Sequence, residues 1–144
     1  ARRGRAVARD GGTATVLGLF AAAWQLFQST RTAALAALFA LLNMTLFVQA
    51  RIAMLDGFMA ALVVGGLAAM LWSMRGQGAS VWRRWLLGSL LLGLAAGVKW
   101  LAIPYVALAG AGFLLAREPH RWPGLRPVPA LLTLGLASGA AYLL

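Results

Sequence analysis

The sequence predicts an all-α fold, a polytopic membrane helix bundle with about six transmembrane segments. Of its 144 residues, 62% are hydrophobic and only 11% are charged, and the mean hydropathy is +0.81, whereas soluble domains are about 25% charged. The charges separate long apolar blocks, and these blocks lack the two-residue alternation of a membrane β-strand. Both observations favour helices in lipid over a soluble fold.

Charge spacing assigns one helix to each apolar block. A spanning helix needs about 17–25 mostly apolar residues and rarely carries a charge. The predicted helices are, in order, about 13–29, 32–50, 57–74, 85–98, 102–116 and 129–144. We interpret 1–144 as a single transmembrane domain. Because the chain begins at Ala1 rather than Met and ends inside an apolar block, we expect it to be an internal fragment of a longer protein.

The stretch 85–116 is predicted to break into a hairpin of two short helices. As one helix it would be about 48 Å long, well beyond the ~30 Å hydrocarbon core. Gly97 loosens the helix, Lys99 is costly against lipid, and Pro104 removes a backbone donor. These signals predict a turn with Lys99 at its tip.

The arginines predict the orientation of the bundle. In the loops on one side of the bundle, the only basic residues are Arg51 and Lys99. The loops on the other side contain seven arginines: Arg31, Arg75, Arg83, Arg84, Arg117, Arg121 and Arg126. The positive-inside rule then places Arg51, Asp56 and Lys99 on the outer face. The basic stretch 2–9 falls outside against this rule, and we expect it to be an unanchored arm. Because the arginines separate apolar blocks and form no stripe, nucleic acid is not an expected partner.

Three charges on the outer face are the candidate site residues. Lys99, the single lysine, either snorkels to the interface or binds an anion. Asp56 either forms the N-cap of a helix that begins at Gly57 or takes part in the site. Arg51 and Asp56 are five residues apart, so they do not share a helix face as an i,i+4 pair would.

The composition excludes several kinds of chemistry. The chain has no cysteine and one histidine, so we expect no thiolate nucleophile, no metal site and no bound cofactor. Two smaller patterns concern packing. The pairs Gly93/Gly97 and Gly135/Gly139 are interpreted as close helix contacts. The tryptophans near block ends are interpreted as an aromatic belt: Trp82, Trp85, Trp100 and Trp122.

Two stretches resemble signatures of one family. The segment 47–56, Phe-Val-Gln-Ala-Arg-Ile-Ala-Met-Leu-Asp, is similar to a signature of the phospholipid-carrier-dependent protein O-mannosyltransferases. The segment 93–100, Gly-Leu-Ala-Ala-Gly-Val-Lys-Trp, followed by Pro104, resembles a second signature. Where family members often carry Ser before the arginine, this chain has Ala50. The resemblance covers most of the chain as the second to seventh membrane helices of a larger GT-C enzyme.

The resemblance implies an inverting transfer of mannose, or a related sugar, from a polyprenyl-phosphate carrier to Ser/Thr hydroxyls of an acceptor protein. It implies that Arg51 and Lys99 bind the carrier phosphate, with Asp56, Gln49 and Trp100 supporting them. It also implies a site on the outer face of a membrane, and we expect the bacterial cytoplasmic membrane.

The catalytic base is not expected within the chain. The family's base lies in an acidic pair of the first outer loop, and the sequence contains no such pair. Asp10 lacks an acidic neighbour and Glu118 falls in an inner loop, so we assign no catalytic residue here. The base is expected upstream of residue 1, and the 144 residues alone are expected to be inactive.

Two other functions remain open from the sequence. A transporter or flippase module would use the broken helix around Lys99 as a substrate site. A structural membrane subunit would have no site, and replacing Arg51 or Lys99 would not affect its function.

Overall fold

The computed structural model describes residues 2–43, 55–76, 80–115 and 126–143. Every regular element in these ranges is helical, which confirms the expected all-α class. The α-helices are α1 (Arg2–Phe27), α2 (Thr30–Leu42), α3 (Leu55–Met74), α4 (Ser80–Val98), α5 (Ile103–Leu115) and α6 (Pro127–Tyr142). A single 3₁₀ turn, Trp100–Ala102, joins α4 to α5.

The helices alternate in direction along the chain and define two ends of the bundle. The arginine end contains the last turns of α1 and α3 and the first turns of α2, α4 and α6, with five described arginines: Arg31, Arg75, Arg83, Arg84 and Arg126. The Lys99 end contains the starts of α1 and α3, the end of α4 and the 3₁₀ turn, so Arg2, Arg3, Arg5 and Arg9 also belong to this end. α3 lies between α1 and α4, and α4 also packs on α6.

The core is centred on Trp85 in α4. Its side chain is fully buried, and its ring lies 4.8 Å from that of Phe113 on α5. The indole Nε1 donates a 3.0 Å hydrogen bond to the backbone oxygen of Ala130 on α6. The interpretation of Trp85 as part of an interfacial belt is therefore wrong. Its one polar atom is satisfied inside the bundle, and this satisfaction permits its burial.

Small residues set the closest helix crossings. At Gly66 and Gly88, α3 and α4 approach so closely that a Cβ on Gly88 would lie 2.8 Å from the backbone oxygen of Gly66. At Gly93, a Cβ would lie 2.4 Å from the backbone oxygen of Ser138 on α6. The Ser138 hydroxyl donates a 2.9 Å hydrogen bond to the Ser89 backbone oxygen across the same interface. Small side chains thus let the backbones meet directly.

The first helix differs from the sequence prediction. α1 begins at Arg2, so the expected arm is helical and continuous with the first predicted membrane segment. Gly11 packs against Phe58 of α3, and Thr15 Oγ1 lies 3.3 Å from the Gly57 backbone oxygen, to which it donates. No proline interrupts residues 2–12, and Ala and Arg favour helix. The continuous helix therefore anchors this segment at its Gly11 end.

Several other helix ends differ from those expected. α2 ends at Leu42, and the expected continuation to residue 50 lies outside the described residues. α4 begins at Ser80, five residues earlier than expected. Near its start, the guanidinium carbon of Arg84 lies 3.9 Å from the centre of the Trp72 ring on α3, a favourable cation–π contact.

The surface of the bundle is apolar. Large hydrophobic side chains are exposed on several helices, including Phe39 on α2, Leu108 on α5 and Leu136 on α6. The segments Asp56–Met74 and Ser80–Val98 are long and apolar enough to cross a membrane, and the other apolar helices are shorter. Helices that are apolar on their outer surface as well as in the core are typical of a membrane bundle.

Candidate functional site

Lys99 lies at the break that the sequence predicts. α4 ends at Val98, and Lys99 adopts an extended conformation with φ −154° and ψ 123°. Its backbone N–H donates to the oxygen of Ala95, and its own oxygen accepts from Ala102. Pro104 occupies the second position of α5, where its missing N–H has no helical partner to lose. The predicted hairpin around Lys99 is therefore confirmed.

Asp56 lies in the first turn of α3. The helix begins at Leu55, so Asp56 is inside the helix and does not form the expected N-cap before Gly57. A carboxylate in this turn is still favourably placed, because unpaired backbone N–H groups give a helix N-terminus a partial positive charge. Asp56 thus combines a stabilised position with a side chain that is available to a partner from another helix.

The two residues form an ion pair at the Lys99 end. Lys99 Nζ donates to Asp56 Oδ1 at 2.5 Å, which joins side chains 43 positions apart in the sequence. The lysine side chain is 39% exposed and the aspartate side chain 25% exposed. The pair is therefore accessible from outside the bundle. Sequence reasoning placed both residues on one face, but it did not predict that they would pair with each other.

The ion pair gives the Lys99 ammonium a partner within the chain. This ammonium does not extend freely toward an interface, because it is held by a carboxylate of the chain itself. An ammonium has three donors, and this pair uses one of them with Asp56 Oδ1. The remaining donor capacity can be directed to a second anion.

Of the other predicted site residues, only Trp100 belongs to the part of the chain that the structure describes. Arg51 and Gln49 lie outside the described residues, as does Glu118, which was rejected as a catalytic base. Trp100 follows Lys99 directly and is 70% exposed, with its ring beside the break and not in the core. An exposed indole at this position offers a flat apolar surface next to the ammonium.

At the arginine end, two arginines have structural partners. Arg75 donates through its guanidinium to the backbone oxygen of Gln25, in the last turn of α1. Arg84 stacks on Trp72, as described above. Cations at helix C-termini neutralise unpaired carbonyl groups, so Arg75 joins the end of α1 to the end of α3. These contacts separate a structural role at one end from the accessible ion pair at the other.

The described residues contain no group of three or more His, Cys, Asp or Glu side chains that could hold a metal ion. The described site consists of an ammonium with an adjacent carboxylate, and an ammonium can donate hydrogen bonds to an anion. An all-helical bundle with an apolar surface and an accessible ion pair at one end is typical of a polytopic membrane protein.

Comparison with known proteins identifies the family. The model of the dolichyl-phosphate-mannose-protein mannosyltransferase family matches residues 10–122, and the chain belongs to this family. Neither curated proteins nor solved structures gave a match. The family consists of integral membrane glycosyltransferases, so the chain is part of a mannosyltransferase-type membrane enzyme. The match includes the whole of α3 and α4 and thus both members of the ion pair.

Proposed function

We propose that the chain supplies the carrier-phosphate site of an inverting glycosyltransferase. The enzyme transfers mannose, or a related sugar, from a polyprenyl-phosphate carrier to Ser/Thr hydroxyls of an acceptor protein. The observation that carries this proposal is the accessible Lys99–Asp56 ion pair, which joins residues of the two family-like signatures. Family membership favours this function over a transporter or a structural subunit.

The chemistry requires a cation where Lys99 lies. When the bond between the sugar carbon and the phosphate oxygen breaks, the electron pair remains on the phosphate and its negative charge grows. A positioned ammonium stabilises this charge, and the stabilisation is strong where water is partly excluded. Arg51, assigned by the resemblance, would add a planar guanidinium that can bind two phosphate oxygens. Asp56, Gln49 and Trp100 are proposed to support these two cations at the phosphate site.

The hydroxyl proton must go to a base. Asp56 Oδ1 already accepts from the Lys99 ammonium, so this oxygen is not free to accept the hydroxyl proton. We therefore assign the base to an acidic residue of the longer protein, upstream of residue 1, as the resemblance implies. On this basis the 144 residues alone transfer no sugar, and the donor is a substrate and not a bound cofactor.

The proposed site faces outward from a bacterial cytoplasmic membrane. The loop arginines at the opposite end, Arg31, Arg75, Arg83, Arg84 and Arg126, support this orientation, because positively charged loops are retained in the cytoplasm. The first turns of α1, with four arginines, lie at the Lys99 end and oppose it. The phosphate of the carrier and the hydroxyl of the acceptor would then meet at the outer interface. Membrane lipid surrounds the apolar surface of the bundle in this arrangement.

Lys99→Gln in the full-length protein tests the proposal. Transfer from dolichyl-phosphate mannose to a Ser/Thr peptide is measured in proteoliposomes, and a fall of about 10²–10³ in rate is expected for the loss of one charged donor. Lys99→Arg keeps the charge and should retain part of the activity. Arg83→Gln removes an exposed charge at the opposite end and is the matched control.

The thermal unfolding temperature of each variant separates catalysis from folding. The proposal is wrong if Lys99→Gln folds and transfers sugar as fast as Arg83→Gln. It is also wrong if binding of a polyprenyl phosphate is unchanged in Lys99→Gln, since the ammonium would then not contact the phosphate.

A further inference from the structure

The Lys99–Asp56 ion pair places a negative charge beside the proposed phosphate site. A site that only had to bind an anion would gain affinity from an unpaired cation. Here the ammonium already donates to Asp56 Oδ1 at 2.5 Å, so an arriving phosphate must share it with a carboxylate. Both side chains are partly exposed, so an anion can reach Lys99 Nζ, and the 2.5 Å contact places the Asp56 carboxylate beside that anion.

The two phosphates that would occupy the site differ in charge. In the transfer, the acceptor hydroxyl oxygen forms a bond to the sugar carbon, and the hydroxyl proton passes to the base. The bond between the sugar carbon and the phosphate oxygen breaks, and its electron pair remains on the phosphate. The donor is a phosphodiester with one negative charge. The product is a phosphomonoester with about 1.5–2 negative charges at neutral pH. A neighbouring carboxylate repels the product more strongly than it repels the donor.

We propose that Asp56 is a positioning residue that promotes release of the carrier-phosphate product. It competes with the phosphate for Lys99 and repels the extra charge that the reaction creates. This inference rests on the proposed function of the site. It assigns to Asp56 a role that a helix cap or a purely structural ion pair would not have.

The helices make this competition reversible. Asp56 lies at the N-terminus of α3 and Lys99 follows the C-terminus of α4, so each charge is stabilised by its own helix end when the pair opens. The contact uses one carboxylate oxygen and one ammonium donor, without the two parallel bonds of an arginine pair. The ammonium can therefore turn from the carboxylate to the donor phosphate and return after transfer.

The test compares product and donor affinity in the full-length Asp56→Asn protein. The inhibition constant of a polyprenyl phosphate and the KM for the sugar donor are measured in the same proteoliposomes. We expect product affinity to rise about tenfold and donor affinity about two- to threefold, since the repulsion scales with the charge. Progress curves should then flatten early as product accumulates. Asp56→Glu retains the charge and should retain the wild-type ratio of the two constants.

An unchanged ratio in a folded Asp56→Asn protein, or weaker product binding, would overturn the inference. If Asp56→Asn does not fold, inhibition of the wild-type protein tests the inference instead. Polyprenyl phosphate and its methyl ester, which carries one charge, are compared as inhibitors. Similar affinities for the two inhibitors support the inference. If polyprenyl phosphate, the phosphomonoester, binds about tenfold more tightly than its methyl ester, the inference is contradicted.

The two proposals fail in different ways. Full activity and unchanged phosphate binding in Lys99→Gln would remove the phosphate site itself. Loss of activity in Lys99→Gln, together with an unchanged affinity ratio in Asp56→Asn, would keep the site and remove only the role of Asp56 in release.

Discussion

Gly93 on α4 offers a quantitative test of the packing between α4 and α6. A Cβ at this position would lie 2.4 Å from the Ser138 backbone oxygen and 2.7 Å from the Ala141 Cβ. Neither atom belongs to the far end of a flexible side chain, so Gly93→Ala must push the two helices apart. Overpacking of this kind costs about 1–3 kcal/mol.

The matched control is Gly135→Ala on α6. Gly135 is also helical, but no heavy atom lies within 4 Å of its built Cβ. Both substitutions gain up to about 1 kcal/mol from the higher helix propensity of alanine. The difference between the two variants in free energy of unfolding therefore isolates the packing cost, and it should be about 1–3 kcal/mol.

Thermal unfolding of the full-length variants in detergent measures this difference. Gly97→Ala adds a third point, because its built Cβ meets the nearest atom, the Tyr142 oxygen, at an ordinary 3.7 Å. The expected order of unfolding temperature is Gly93→Ala lowest, with Gly97→Ala close to Gly135→Ala. If Gly93→Ala unfolds at or above the temperature of Gly135→Ala, the close contact between α4 and α6 does not exist in the protein.

Three further predictions address the turn, the core and the orientation. Gln28 has φ 52°, a left-handed conformation that glycine adopts without strain, so Gln28→Gly should raise the unfolding temperature by an amount corresponding to about 0.5–1 kcal/mol, and a decrease would contradict this. Trp85→Phe removes the hydrogen bond to Ala130 and should lower the free energy of unfolding by about 1 kcal/mol or more in a denaturation curve, whereas unchanged stability would show that the bond is not formed. Single cysteines at Gln77 and Ala53 should react with an impermeant reagent in intact cells at position 53 but not at 77, and the reverse pattern would invert the orientation.

The break around Lys99 could be predicted because its signals are local. Gly97, Lys99 and Pro104 each disfavour a continuous membrane helix for a separate reason, and all three lie within eight residues. The structure ends α4 and begins α5 inside this short segment. The same local logic explains why apolar blocks between charges were sufficient to predict the all-α class.

The sequence could not predict which small and aromatic residues face inward. Gly93 and Gly135 both belong to GxxxG pairs, yet Gly93 contacts α6 closely and Gly135 has open space around it. The interpretation of Gly135/Gly139 as a close helix contact within the described residues is therefore wrong. Trp85 and Trp100 both lie near block ends, but the first is fully buried and the second is 70% exposed. These outcomes depend on how each helix is rotated, which requires its packing partners.

The pairing of Lys99 with Asp56 depends on the antiparallel arrangement of α3 and α4. This arrangement places the N-terminus of α3 next to the C-terminus of α4, and opposite charges are favoured at these two ends. The pair therefore lies where the backbone already lowers the cost of each charge, and replacing either residue leaves its partner at a favourable helix end. The consequence is that loss of Asp56 should change anion affinity at Lys99 more than it changes the stability of the bundle. A purely structural ion pair would show the opposite balance.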